Sequence, residues 1–383
     1  MSAVDLRLTG AGVLGPDGLS PEPLRIVDGG IVEDAPGREV DLSGYAVLPG
    51  IVDIHGDGFE RHLAPRRGAM KDVDEGLIAA EAELAANGIT SAVLAQFYSW
   101  EGGMRGPEFA ERVFDGVAKV RPRVVTALLM QLRFEIAMLE DYAAMEKLVA
   151  RHGIGYVVFN DHLPHEALEK GKRPPRLTGQ ALRIGRNPEL HLQMMKEMHA
   201  RMDEVPGALD ELCARLAGRS VLMGSHDARE AGAHAAWRAR GVRIAEFPET
   251  GQAVEAARGA GDPVIMGAPN VVRGGSHNGN VSAAERVMMG QVSALASDYH
   301  YPSLIRAVKL LEGSGVLDMK AAWDLISEGP AEVLGLGDRG RIVAGLRADL
   351  VVLEPRTWRV AATVAGGRIS YMSGDVAARF VDA

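Results

Sequence analysis

Eight short apolar runs, separated by helix-like segments, constrain this chain more than any other feature of its sequence. They cover residues 46–55, 89–97, 124–135, 154–162, 219–226, 242–248, 263–270 and 292–298. Short apolar runs bounded by turn signals read as strands buried on both faces. Strands alternating with helices read as parallel units, and eight of them predict an α/β chain folded as a (β/α)8 barrel of the TIM type. The ends of the runs are polar. His55, Glu135, His162, His226 and Asp298 each stand at or just beyond a C-terminal end. A parallel barrel opens all such ends onto one mouth, so side chains distant in sequence converge where this fold places its chemistry.

The flanks read differently. Before residue 48 the chain shows turn chemistry at Gly15-Pro16-Asp17-Gly18, Asp28-Gly29-Gly30 and Asp34-Ala35-Pro36-Gly37. Beyond residue 340, Asp349-Leu350-Val351-Val352-Leu353 and Val364-Ala365-Gly366-Gly367-Arg368-Ile369 read as strands with a glycine turn. Neither flank can bury a core alone. The expectation is one small β-sandwich domain built from residues 1–47 and 340–383, around a barrel domain over 48–339.

Lys and Arg number 42 against 51 Asp and Glu, a net charge of −9 that argues against a broad nucleic-acid footprint. The lone Cys213 excludes an intrachain disulfide, and no apolar run is long enough to span a membrane. The start, Met1-Ser2-Ala3-Val4-Asp5-Leu6-Arg7, lacks the apolar stretch of a secretory signal, so a cytoplasmic setting is expected.

His55 and Asp57 close the first run at i and i+2, which places both on one face of an extended strand. Singly, each polar residue at these strand ends has a structural reading. His162 and His226 could be hydrogen-bonded rim residues, Glu135 could pair with Arg133, and Asp298 could cap a helix. Their joint recurrence at strand ends favours a metal centre. Imidazole nitrogen and carboxylate oxygen without thiolate suit zinc, manganese or iron, as one ion or two. Such ions generate hydroxide at neutral pH, and a neighbouring carboxylate can take its proton.

Cationic groups surround these candidates. Glu60-Arg61-His62 and Pro65-Arg66-Arg67 follow the first run directly. The segment from Gly267 to Asn280 contains Arg273, Gly274, Gly275, Ser276, His277 and Asn278, which reads either as a tight structural turn or as a phosphate cradle. Lys170, Lys172, Arg173, Arg176, Arg183 and Arg186 crowd one long connection, as a solvated loop or as a lid over an anionic substrate.

These motifs carry a resemblance. Leu48-Pro49-Gly50-Ile51-Val52-Asp53-Ile54-His55 and the Gly340–Val352 tail resemble the amidohydrolase superfamily. His55-Gly56-Asp57 with Pro65-Arg66, Asp161-His162, Ser225-His226-Asp227, Ala245-Glu246-Phe247-Pro248-Glu249-Thr250, the 266–280 segment, Ser297-Asp298-Tyr299, Gly329-Pro330-Ala331 and Asp338-Arg339-Gly340 are similar to the PhnM family. That family splits a ribose 5-triphosphate into pyrophosphate and the 5-phosphate during phosphonate metabolism. The resemblance implies His55, Asp57, Glu135, His162, His226 and Asp298 as metal ligands, with Asp298 and His226 catalytic. It implies Arg61, His62, Arg66, Arg273, Gly274, Gly275, Ser276, His277 and Asn278 as contacts to a small phosphorylated substrate. Homo-oligomerisation stays open. The chain departs from the family pattern at Phe134, at Ile136-Ala137 and at Ala228. The competing expectations are hydrolysis of a C–N bond, the superfamily's common reaction, and a non-catalytic scaffold.

Overall fold

The computed structural model describes residues 4–64, 72–275 and 280–382. The eight expected strands are all present, as Ile51–Gly56, Ile89–Tyr98, Ala127–Glu135, Tyr156–Asn160, Leu222–His226, Ile244–Glu246, Val264–Gly267 and Ala294–Ala296. They form one sheet in which each strand neighbours the next in chain order. The registers run parallel, as where Glu135 stands opposite Asn160 and His226 opposite Glu246. A parallel bridge between Gly56 and Asp298 joins the first strand to the residues following the eighth. This is the (β/α)8 barrel.

The first run breaks where one strand was expected. Ala46–Pro49 pairs antiparallel with residues 350–353 in a terminal sheet, whereas Ile51–Gly56 pairs with the second barrel strand. Gly50 separates them because no side chain fits there. A Cβ would lie 2.4 Å from Thr90 Oγ1 and 2.9 Å from Asp349 Cβ. The seventh run ends early for a different reason. Residues 268–273 form the helix Ala268–Arg273, with proline in its first turn and Gly274 closing it at φ 75°. The last residues of the run expected as strand over 263–270 are therefore the start of a short helix.

The chain divides into two compact units. The first comprises Met1–Leu94, Val117–Leu129 and Pro263–Ala383. It contains a four-stranded sheet from the N-terminal flank and a six-stranded sheet combining strands of both flanks. In Leu6–Thr9 the burial alternates, with Leu6 and Leu8 inward. These meet Ile26, Val40, Leu42, Val47, Leu350, Val352, Val364 and Phe380 in one core. Each such side chain contributes about 1.5–3 kcal/mol of burial. Trp323, wholly buried, ties the unit further by donating its indole N–H to the Pro49 carbonyl at 2.9 Å.

The second unit comprises Ala95–Gly116 and Met130–Asp262. Its long connection after the fourth barrel strand folds into the helices His165–Glu169, Leu177–Arg183, Pro188–Ala200 and Val205–Ala217. The last presents Val205, Leu209, Leu212, Cys213 and Leu216 inward at helical spacing. Among the described residues no helix is long and apolar enough to cross a membrane.

Candidate active site

The polar strand ends belong to both units, His55, Asp57 and Asp298 to the first and Glu135, His162 and His226 to the second. In the first unit His55 is wholly buried at the end of its strand. The Asp298 N–H donates to the His55 carbonyl at 3.0 Å, and the Asp57 N–H donates to the Asp298 carbonyl at 2.9 Å. These backbone bonds place Asp298 between His55 and Asp57. Behind them the buried Asp53 accepts from the Ser297 N–H at 3.0 Å and from the Ser297 hydroxyl at 2.5 Å. Burial nonetheless pushes the Asp53 carboxyl above its ordinary range.

Asp298 adopts a left-handed backbone, φ 56°. So do Asp227 at 57° and Phe247 at 49°, each directly following a barrel strand in the second unit. Non-glycine residues seldom hold this conformation, and each costs about 1–3 kcal/mol that surrounding structure must offset.

In the second unit Glu135 is wholly buried and accepts the His162 backbone N–H at 3.0 Å through Oε2, while Oε1 meets His162 Nδ1. Burial works against a charged His162, but the Glu135 contact outweighs it and raises the imidazole above its usual pKa. His226 is fixed from both sides. Its Nε2 accepts from Arg133 Nη2 at 3.0 Å, which leaves Nδ1 to carry the proton toward Asp227 Oδ2 at 2.9 Å. Burial and the Arg133 charge hold His226 below its ordinary pKa, so the ring is neutral at pH 7. Burial disfavours the Asp227 anion, yet the His226, Arg133 and His162 neighbours bring its pKa down to about 2.

Sequence reasoning passed over three of these side chains. Arg133, read as a partner for Glu135, instead lies with its guanidinium carbon 3.9 Å from the Phe97 ring centre and is 5% exposed. Asp227 Oδ2 lies 2.9 Å from His226 Nδ1. Glu246, wholly buried, accepts from Gln131 Nε2 at 2.7 Å and from the Tyr156 hydroxyl at 2.6 Å. The signal was available. Gln131, Arg133 and Glu135 alternate along one strand and therefore share a face.

The expected substrate contacts fare differently. Arg61 and His62 both pair with Glu83, and Arg61 also donates to the Tyr299 carbonyl at 3.1 Å. The exposed Arg273 has its guanidinium carbon 5.5 Å from the Tyr299 ring centre, and Gly274 and Gly275 end its helix. Arg66, Ser276, His277 and Asn278 lie outside the described residues. In the long connection, Lys170 and Arg173 are paired with Glu166 and Glu189.

The donor sets of both groups are imidazole nitrogen and carboxylate oxygen, and the thiol of Cys213 is buried in a helix core. That chemistry fits zinc, manganese or iron better than a thiophilic ion.

No family model matches the chain. It is 31% identical over 321 residues to alpha-D-ribose 1-methylphosphonate 5-triphosphate diphosphatase of Escherichia coli K12, covering 82% of this chain and 84% of that protein. Among solved structures it resembles a triazine hydrolase variant, at a TM-score of 0.66 and 12% identity over 99% of this chain and 98% of that one. N-acetylglucosamine-6-phosphate deacetylase from Pasteurella multocida matches at a TM-score of 0.63 and 12% identity, over 95% of this chain and 99% of that one. These structural relatives share the fold. The sequence match identifies the chain as a hydrolase belonging to the PhnM family, the alpha-D-ribose 1-methylphosphonate 5-triphosphate diphosphatases.

Proposed function

We propose that the chain hydrolyses the phosphoanhydride of alpha-D-ribose 1-methylphosphonate 5-triphosphate or a close analogue, releasing pyrophosphate and the 5-phosphate. The observation that carries this reading is Arg133, a buried cation stacked on Phe97 and bonded to His226. A triphosphate needs fixed positive charge beside the reacting phosphorus, and an amide does not.

In this reading His55, Asp57, Glu135, His162, His226 and Asp298 hold one or two divalent ions. Bound there, the ions would supply an activated water and offset the charge on phosphate oxygens. His226 would engage through Nε2 only once Arg133 Nη2, which holds that lone pair at 3.0 Å, turns from the ring toward a phosphate oxygen, while Asp227 lies against Nδ1. Glu135 orients His162 through both its ring and its backbone. Asp298, tied by backbone bonds to His55 and Asp57, takes the proton of the attacking water. Arg133 neutralises phosphate charge, with Arg66, Arg273, Gly274, Gly275, Ser276, His277 and Asn278 as further contacts. Arg61 and His62 contribute less positive charge, since both share Glu83.

The test is phosphorus NMR of the metal-loaded protein with a ribosyl triphosphate, beside a panel of N-acyl and cyclic-amide compounds. Pyrophosphate release supports the reading. Turnover confined to the amide panel overturns it.

A further inference from the structure

The second unit contains a pocket of about 350 Å³ that none of the proposed roles uses. It is lined by Glu101 and Arg105 on one side and by Arg176, Gly179, Gln180 and Arg183 on the other. Arg176, Gln180 and Arg183 fall at i, i+4 and i+7, so they share one face of the helix Leu177–Arg183 and the residue before it. Leu177 and Ala181 anchor that helix by burial.

The charges do not balance. Arg105 is held by Glu101, with Nη1 2.9 Å from Oε2. Among the described residues neither Arg176 nor Arg183 has a carboxylate partner, unlike Lys170 and Arg173 nearby. Three guanidinium groups thus face one carboxylate, on a chain whose net charge is −9. Guanidinium groups matched to phosphate oxygens form paired, charge-assisted hydrogen bonds.

The pocket adjoins the strand-end group through one ring. The Arg105 guanidinium carbon lies 4.2 Å from the Phe97 centre, Arg133 lies 3.9 Å from it, and the His162 ring centre lies 6.2 Å away. We propose that Arg105, Arg176 and Arg183 form a binding site for a phosphoryl or phosphonyl dianion, next to the Glu135–His162 group. That the anion is one end of the substrate rests on the proposed phosphoanhydride reading; the existence of the site does not.

The test compares the metal-loaded wild type with the double variant Arg176→Gln, Arg183→Gln. Both positions are exposed, and an unchanged melting temperature is the control for folding. Calorimetry with inorganic pyrophosphate is expected to show one bound equivalent fewer in the variant, or at least a tenfold weaker Kd for that equivalent. Equal stoichiometry and Kd in the two proteins would overturn the site, as would failure of the wild type to bind pyrophosphate or phosphate at millimolar concentration. Kinetics with the ribosyl triphosphate then separate the sources. A tenfold rise in KM with kcat held assigns the anion to the substrate. An unchanged KM beside lost pyrophosphate binding assigns it to a free phosphate or pyrophosphate. If no triphosphate is turned over by the wild type, the phosphoanhydride reading fails while the calorimetric result still decides the pocket.

Discussion

Glu135 grips His162 twice, accepting its backbone N–H through one carboxylate oxygen at 3.0 Å and meeting Nδ1 with the other. A wholly buried carboxylate keeps its charge only beside compensating positive charge, here a protonated His162 or a bound cation. Glu135→Gln keeps the shape and removes the charge. We expect a loss of about 10–100-fold in metal affinity or turnover. Metal analysis alongside steady-state rates checks this, and wild-type values for both would remove Glu135 from the site.

Arg133 faces His226 Nε2 from above the Phe97 ring. Arg133→Met preserves volume but deletes the cation. Its expected effect on a triphosphate substrate is about a 100-fold fall in kcat/KM, equivalent to about 2.7 kcal/mol of transition-state stabilisation. Arg133→Lys should recover part of this, since charge returns without the planar stack. Activity on the triphosphate that is indifferent to both changes would favour an uncharged substrate.

The barrel was legible because its strands are short, mostly apolar runs, and the candidate site was proposed because five of those runs close on a histidine or carboxylate. What escaped is set by tertiary contact. Nothing local to residues 46–55 says that Gly50 must lie against Thr90 and Asp349, so the break there could not be read. Arg133 was visible as a charge, but its choice of Phe97 and His226 over Glu135 depends on neighbouring strands. The basic residues at 170–186 looked alike in sequence. The fold separates Lys170 and Arg173, which are paired, from Arg176 and Arg183, which line a pocket.

Asp262 is 1% exposed and meets two guanidinium groups and an imidazole, at 2.6 Å from Arg238 Nη1, 3.1 Å from Arg243 Nε and 3.0 Å from His234 Nε2. Removing the shared carboxylate leaves buried donors unpaired. Asp262→Ala should destabilise the protein by about 3 kcal/mol, the lower end for breaking a buried pair because Arg243 and Arg238 reach solvent. Urea unfolding measures this. A change below about 0.5 kcal/mol would show that water replaces the carboxylate fully.

His165 links two helices of the long connection. Its Nε2 lies 2.9 Å from Asp161 Oδ2 and its Nδ1 lies 2.8 Å from His199 Nδ1. The Asp161 hydrogen bond raises the His165 pKa above 6.5 against the opposing effect of burial. A histidine raised on folding binds its proton more tightly in the native state, so its stabilisation is complete below pH 6.5 and fades as pH climbs through the native value. Unfolding free energies measured from pH 6 to 9 should therefore fall more steeply for the wild type than for His165→Gln. Because the pair is partly exposed, the difference should be below about 1 kcal/mol. Parallel profiles would mean the contact is not maintained in solution.

Cys213 is wholly buried on the inner face of Val205–Ala217, and burial, partly countered by Arg240, pushes its thiol up to about 12. At pH 8 the reactive thiolate is then about one part in ten thousand, and the sulfur is screened from reagent as well. An aromatic disulfide reagent should leave the native protein unlabelled for hours and react at once in denaturant. Reaction in intermediate urea should follow the global unfolding transition, because Cys213 is buried with the whole apolar stripe of its helix. Labelling well before that transition would show that Val205–Ala217 opens independently of the barrel.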